Sequence, residues 1–276
     1  MLAILTDSTA DLPADLSAAL DIHIVPAVLV MNGQPLRDGP DIDRDEFYRR
    51  LPGLNPLPTT AAPASGEFEA AYESLLRHAD HVLSIHAAAA LSGIYNAACA
   101  AAQSFAGRVS VEDSEQISLG LGFQVLAAAE SVRTLAAALA AARATRARVR
   151  VFALLDTLQN LRRSGRVSFL QAGLGDFLQI KLLVELTRGQ VLRLAQARTR
   201  RTAIETLLAQ VRALGPLARL AVLHAGAPDE AADLSAQLAS QSALPPLVGS
   251  VTSVIGTHVG PRALGVVAVT EAKPET

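Results

Sequence analysis

The sequence has little of the material from which covalent staples, metal centres and nucleic-acid surfaces are built. A single cysteine, Cys99, excludes an intramolecular disulfide framework and a cysteine-rich metal site. The six histidines are scattered, with no pair at the spacing of H-E-x-x-H, so no metal is expected. Tryptophan is missing and aromatics are only 4%, so the hydrophobic 50% is built mainly from Ala, Leu and Val. Lysine occurs only at Lys181 and Lys273; arginine carries the remaining positive charge, and a net charge of −2 supplies no global field for nucleic acid. No apolar run is long enough to span a bilayer, because residues 119–142 are interrupted by Gln124, Glu130 and Arg133. MLAILTD, at the start, is too short for a signal peptide and lacks its basic flank. The expectation is a cytoplasmic protein with no membrane span.

What is present alternates. LAIL (2–5) precedes the polar TDSTADLP and a helix near residues 13–20, which reads as strand, loop, helix. IHIVPAVLVM (22–31) reads as extended chain before the turn signal Asn32-Gly33. A short helix over 41–51 leads into NPLPTTAAPASGEF (55–68), a stiff loop with adjacent hydroxyls on Thr59 and Thr60, and then a helix over 66–78. HVLSIHA (81–87), RVSVEDS (108–114) and VRVFALL (149–155) read as strands separated by helices over 91–105 and 117–146, with Ser92 placed to cap the first. This alternation argues for an open parallel α/β sheet. Beyond residue 156 the pattern changes: a helix at LQAGLGDFLQI (170–180), a hairpin turning at Arg188-Gly189, then helices over 200–213 and 228–239 among strands over 217–225, 247–254 and 264–270. The fold class expected is α/β, with a parallel α/β domain over 1–157 and an α+β domain over 158–276. Basic runs at 143–150 and 198–201 suit either a solvated face or a docking patch for an acidic partner.

In a parallel α/β sheet, ligands bind along the carboxyl edge of the strands. Asp7-Ser8-Thr9, Thr59-Thr60, Ser92-Gly93 and Asp113-Ser114 all fall in loops of that kind. Hydroxyls and free amides at helix starts form a receptor for an anion. No G-x-x-x-x-G-K-[ST] supports a nucleotide, and no cofactor is expected. A hydrolase of acyl or phosphate esters using Ser92, His258 and Asp113 is the alternative, although the sequence has no G-x-S-x-G elbow. SVIGTHVGPRALG (253–265) places His258 in a loop broken by glycine and proline between two strands.

TDSTADLP (6–13), RDGPDI (37–42), LPTTAAPASGEF (57–68), HAAAALSGIYNAA (86–98), VEDSE (111–115), DTLQNLRRSGRVS (156–168), IKLLVEL (180–186) and IGTHVGPRALG (255–265) together resemble the DegV family of bacterial fatty-acid-binding proteins. The resemblance implies two domains with a long-chain fatty acid buried between them. Thr60, Ser92 and His258 would hold the carboxylate, with Thr59 and Gly93 in secondary positions. It implies a binding subunit with no catalysis of its own, whose partner is a separate ATP-binding fatty acid kinase subunit that phosphorylates the carboxylate. Arg166 would lie near the pocket mouth and contact that partner. The sequence departs from the family pattern at Ala61, Ala62 and Ala64, at the alanines of 87–90, at Leu182, and at Arg262, where the family carries glycine.

Overall fold

The computed structural model describes residues 1–132, 134–166, 168 and 180–272. The helix expected over 170–180 therefore lies almost wholly outside the described residues. The first elements are β1 (Leu2–Asp7), α1 (Ala14–Ala19), β2 (Ile22–Val25), β3 (Val28–Met31), β4 (Gln34–Arg37), α2 (Arg44–Arg50), β5 (Thr59–Ala61) and α3 (Ser65–Leu75). Then come β6 (His81–His86), α4 (Ile94–Ala102), β7 (Val109–Asp113), α5 (Leu119–Glu130), α6 (Leu135–Arg146), β8 (Val149–Leu155) and α7 (Gln159–Arg163). The described chain closes with β9 (Lys181–Thr187), β10 (Gln190–Ala197), α8 (Arg200–Arg212), β11 (Leu217–His224), α9 (Pro228–Leu238), β12 (Leu247–Ser250), α10 (Ser253–Val259) and β13 (Leu264–Thr270). Two compact units result: Met1–Ile42 with Thr60–Ala147, and Asp43–Thr59 with the chain from Arg148 onward.

The first unit is the expected parallel sheet, in the order β2-β1-β6-β7, every ladder parallel. Strand β1 is buried along nearly its whole length, as its apolar run requires. The segment read as one extended stretch over 22–31 is two strands. β2 joins the parallel sheet, and after Pro26 β3 turns into a second, small sheet ordered β4-β3-β5. Asn32 and Gly33 both take positive φ (51° and 76°), the conformation that a two-residue hairpin between β3 and β4 demands. The long alanine-rich region is two helices, and α5 is buried from Leu119 to Leu126 without interruption. A Cβ at Gly122 would stand 2.6 Å from the Ala10 carbonyl oxygen, so only glycine lets this helix approach so closely. Cys99, expected to fill a core gap, is half-buried on α4.

In the second unit the sheet runs β10-β9-β8-β13-β11-β12. Its ladders are antiparallel except β11 with β12. Strand β8, read from the sequence as the last strand of the parallel sheet, lies between β9 and β13 and is antiparallel to both. The boundary expected at residue 157 thus moves to 147, and residues 43–59 join the second unit. An apolar strand buried on both faces carries no record of its neighbours' direction, so periodicity could not assign β8 to a sheet. Phe152, Leu154, Leu183, Leu220, Val222 and Val266 form one apolar face, which α8 and α9 cover with Leu207, Val211, Leu234 and Leu238. The β9–β10 hairpin turns at Arg188 and Gly189, both at positive φ, as the sequence indicates.

Most arginines of the two basic runs pair within the chain while several stay exposed to solvent. Arg143 makes a two-pronged pair with Glu112 (2.9 and 2.8 Å), Arg146 donates to the Asp113 carbonyl (2.6 Å), and Arg148 donates to the Thr270 carbonyl (3.0 Å). Arg150 pairs with the buried Glu185, and Arg201 with Glu205. The solvated-face reading of these runs is therefore closer to the structure than a docking patch.

Candidate functional site

The loops after β1, β6 and β7 are stitched together at the carboxyl edge of the parallel sheet. Ala88 N–H donates to the Gln116 carbonyl (2.8 Å), Ser114 N–H to the His86 carbonyl (3.0 Å) and Ser118 N–H to the Thr9 carbonyl (2.7 Å). The convergence inferred from topology is present for Asp7-Ser8-Thr9, Ser92-Gly93 and Asp113-Ser114. Thr59 and Thr60 differ: they sit in β5 of the small sheet rather than in a loop after a strand of the parallel one. Pro58 and Pro63, both buried, anchor the segment on either side.

The Thr60 segment still reaches the same edge. A Cβ built at Gly93 would lie 3.8 Å from the Ala62 side chain, so the TTAA strand runs beside the turn that carries Ser92. Thr60 and Ser92 are half-buried, whereas Thr59 and Gly93 are exposed. Ser92 was expected to cap a helix starting at 91, but α4 begins at Ile94, with Gly93 at its N-cap. Leu91 and Ser92 instead form a turn on the Ala88 carbonyl (2.9 and 3.0 Å), and Ser92 Oγ accepts from Ile94 N–H at 3.3 Å. That bond is long, near the limit for a hydrogen bond. Asp113, the acid of the hydrolase alternative, spends its carboxylate on the amides of Glu115 (2.8 Å) and Ala89 (3.3 Å).

A constellation the sequence reading overlooked lies beneath these loops. Residues two apart on a strand share a face, so Ser84 and His86 of β6 point the same way, toward α3. Asp7 at the end of β1 contacts His86 Nδ1 at 2.9 Å, and His86 Nε2 lies 2.6 Å from Ser84 Oγ. Tyr72 OH lies 3.0 Å from the same hydroxyl. A carboxylate only accepts, so His86 donates from Nδ1 to Asp7, and Ser84 Oγ sits between His86 Nε2 and the Tyr72 hydroxyl. Burial pushes the Tyr72 phenol up to about 12, which keeps it protonated, and its hydroxyl also reaches the Ala98 carbonyl at 3.4 Å. The order Ser–His–Asp matches a hydrolase relay, but Ser84, His86 and Asp7 are all fully buried. A nucleophile with no exposed surface meets no substrate from solvent, and here the chain ties β1, β6 and α3 together. Position i, i+2 spacing on β6 and the placement of Asp7 at a neighbouring strand end were the signals available in the sequence.

His258 lies in the second unit and not in a loop. It occupies the last turn of α10, which Thr252 caps by accepting from Ile255 N–H (3.3 Å). The glycines and prolines that suggested a loop flank this short helix or allow close packing. Gly256 faces the Tyr48 ring, and Tyr48 OH donates to the carbonyls of Val251 (2.9 Å) and Thr252 (3.0 Å). Gly260, at φ 80°, ends the helix against Asn160, whose Nδ2 donates to the Thr257 carbonyl at 3.1 Å. Burial first, and then the positive charge of Arg166, push the His258 imidazole down to about 4. It is therefore neutral at pH ~7 and can donate one hydrogen bond without bringing a charge. Arg166 is half-buried and donates to the Ser164 carbonyl at 2.8 Å. Among the described residues no cluster of His, Cys, Asp and Glu could hold a metal ion, and no helix is long and apolar enough to cross a membrane.

A parallel α/β unit with hydroxyls gathered at its strand ends, joined in one chain to a mixed-sheet unit, is an architecture seen in proteins of known structure. The family model described as "Uncharacterised protein, DegV family" matches residues 1–271, and the chain belongs to the DegV family. Protein DegV of Bacillus subtilis is 34% identical over 275 residues, covering 96% of this chain and 98% of that protein. A DegV domain-containing protein of Streptomyces coelicolor is 37% identical, covering 96% and 97%. Among solved structures, a DegV family protein of Thermus thermophilus described by its fatty acid binding aligns with a TM-score of 0.88. It is 34% identical, and the alignment covers 98% of this chain and 99% of that one. The structure of DegV of Bacillus subtilis, described as a fatty acid binding protein, aligns with a TM-score of 0.85 at 32% identity over 98% and 99%.

Proposed function

We propose that this protein binds a long-chain fatty acid and presents its carboxylate to a separate ATP-dependent kinase subunit. The observation that carries the reading is the meeting of the Thr60 strand and the Ser92 turn at Gly93 and Ala62, which brings two hydroxyl-bearing segments to one sheet edge. The fatty acid binding described for the Thermus and Bacillus relatives supports the choice of ligand. In this reading Thr60 and Ser92 donate to the carboxylate and His258 adds a neutral donor. Thr59 and Gly93 shape the surroundings, and Arg166 contacts the kinase subunit.

Physical magnitudes divide the labour. Burying roughly sixteen methylenes at about 0.8 kcal/mol each releases on the order of 13 kcal/mol before association costs. Each hydrogen bond to a charged group adds only about 1.5–3 kcal/mol. The tail supplies affinity, and the donors decide which end faces outward. Neutral donors also leave the carboxylate oxygen more nucleophilic than a buried Arg or Lys would. In the partner's reaction that oxygen attacks the γ-phosphorus of ATP, the bond to the bridging oxygen breaks, and acyl phosphate and ADP leave.

The test compares binding of a fatty acid with that of the alcohol of the same length. Thr60→Val combined with Ser92→Ala should weaken the acid by roughly a hundred- to ten-thousandfold and the alcohol, which carries no charge, far less. An unaltered preference for the acid would refute the head-group assignment. Organic extraction and mass spectrometry of the purified protein should release a fatty acid, and loss of the carboxylate donors should also slow phosphorylation by an added kinase subunit.

A further inference from the structure

Four residues beyond His258, the chain does something a side chain ordinarily avoids. Arg262 stands at φ 61°, in the left-handed region, where a Cβ crowds the backbone. Backbone and side chain of this arginine are both engaged. Its N–H donates to the Ala225 carbonyl (2.7 Å), its carbonyl accepts from Arg200 (2.7 Å), and its guanidinium donates to Glu230 Oε1 (2.7 Å). Glu230, in the first turn of α9, also pairs with Arg200 through its other oxygen. Arg200 continues to Asp156 (3.1 Å), and Asp156 to Lys181 (3.0 Å). Burial pushes the Glu230 carboxyl up, but hydrogen bonds from Arg200 and Arg262 outweigh it and hold the group ionised.

The link from this chain of charges to His258 is short and stiff. Between them lie Val259, Gly260 and Pro261. Proline fixes its own φ, and Gly260 is wedged, since a Cβ there would stand 2.9 Å from Asn160 Oδ1. On its other side α10 is held by the neutral contacts of Tyr48 and Asn160. We infer that Arg262, held by Glu230 and Arg200, is a positioning residue that fixes the end of α10 and so aims His258 at the ligand's head group. The inference rests on the proposed role of His258 and adds to it a residue at the one position of the G-T-H-V-G-P segment's continuation where this sequence departs from glycine.

Arg262→Gly separates the side chain from the backbone, because glycine takes the left-handed conformation without crowding. On the full-length protein, this variant should bind a long-chain fatty acid about three- to tenfold more weakly, a smaller loss than that of His258→Ala. Both variants should lose much less affinity for the uncharged alcohol of the same length than for the acid, whereas general loosening of the fold would weaken both ligands alike. Arg262→Lys, which keeps a cation facing Glu230, should recover most of the loss. If His258→Ala weakens the acid and Arg262→Gly does not, the positioning role falls while the head-group reading stands. If His258→Ala leaves the preference for acid over alcohol unchanged, both fall.

Discussion

The His258 imidazole gives the sharpest quantitative test. Burial, assisted by the Arg166 charge, lowers it to about 4 from its ordinary value near 6.5. The folded protein therefore keeps the ring neutral while the unfolded chain takes up a proton as pH falls below ~6.5. The corresponding stability is complete above the unfolded value, is lost between ~6.5 and ~4, and changes no further below that. A shift of roughly 2.5 units at about 1.36 kcal/mol each caps the loss near 3 kcal/mol, of which about 2 kcal/mol has gone by pH ~4.5. Urea denaturation of the wild type and of His258→Asn at pH ~7 and ~4.5 isolates this contribution. Burial also lowers His81 and His224, and those groups act equally in both proteins. The wild type should lose about 2 kcal/mol more than the variant over this interval. An equal loss in both, or a His258 ring proton that titrates near its ordinary value in NMR, would refute the burial argument.

Two other perturbations probe the first unit. Gly122→Ala places a Cβ 2.6 Å from the Ala10 carbonyl and 2.7 Å from Leu119 Cδ2, so thermal unfolding should show a destabilisation of about 1–3 kcal/mol. Ser84→Ala removes the hydroxyl between Tyr72 and His86 and strands the buried His86 Nε2, at a cost of about 1–3 kcal/mol, while Tyr72 keeps its contact with the Ala98 carbonyl. A denaturation midpoint equal to that of the wild type would remove the structural role given to this chain.

The parallel sheet of the first unit was legible because LAIL and HVLSIHA are apolar runs ending in turn residues, and such runs announce buried strands. The β3–β4 and β9–β10 hairpins were legible because Asn32-Gly33 and Arg188-Gly189 tolerate positive φ. β8 was assigned to the wrong sheet because a strand buried on both faces looks alike whichever way its neighbours run. The sequence puts His258 in a loop because Gly256 and Gly260 look like breakers. Their use is to admit Tyr48 and Asn160, long-range neighbours that local pattern cannot reveal. The Asp7–His86–Ser84–Tyr72 chain is hidden for the same reason: its members are separated by up to 79 residues and meet through the pairing of β1 with β6 and the packing of α3. The Thr60 strand reaches the Ser92 turn by a route the order of elements does not announce, because β5 belongs to the small sheet and not to a loop of the parallel one.

The excursion of residues 43–59 into the second unit has a consequence for how the chain is made. Phe47 and Tyr48 of α2 are buried, and the carbonyls that receive the Tyr48 hydroxyl lie 203 and 204 residues further along. On a ribosome adding ~5–20 residues each second, this greasy helix waits on the order of ten seconds or more for its destination to be translated. A fragment ending at residue 147 would never supply that destination. Synthesis of this protein thus carries a built-in interval during which an aromatic pair must be sheltered by something other than its final neighbours.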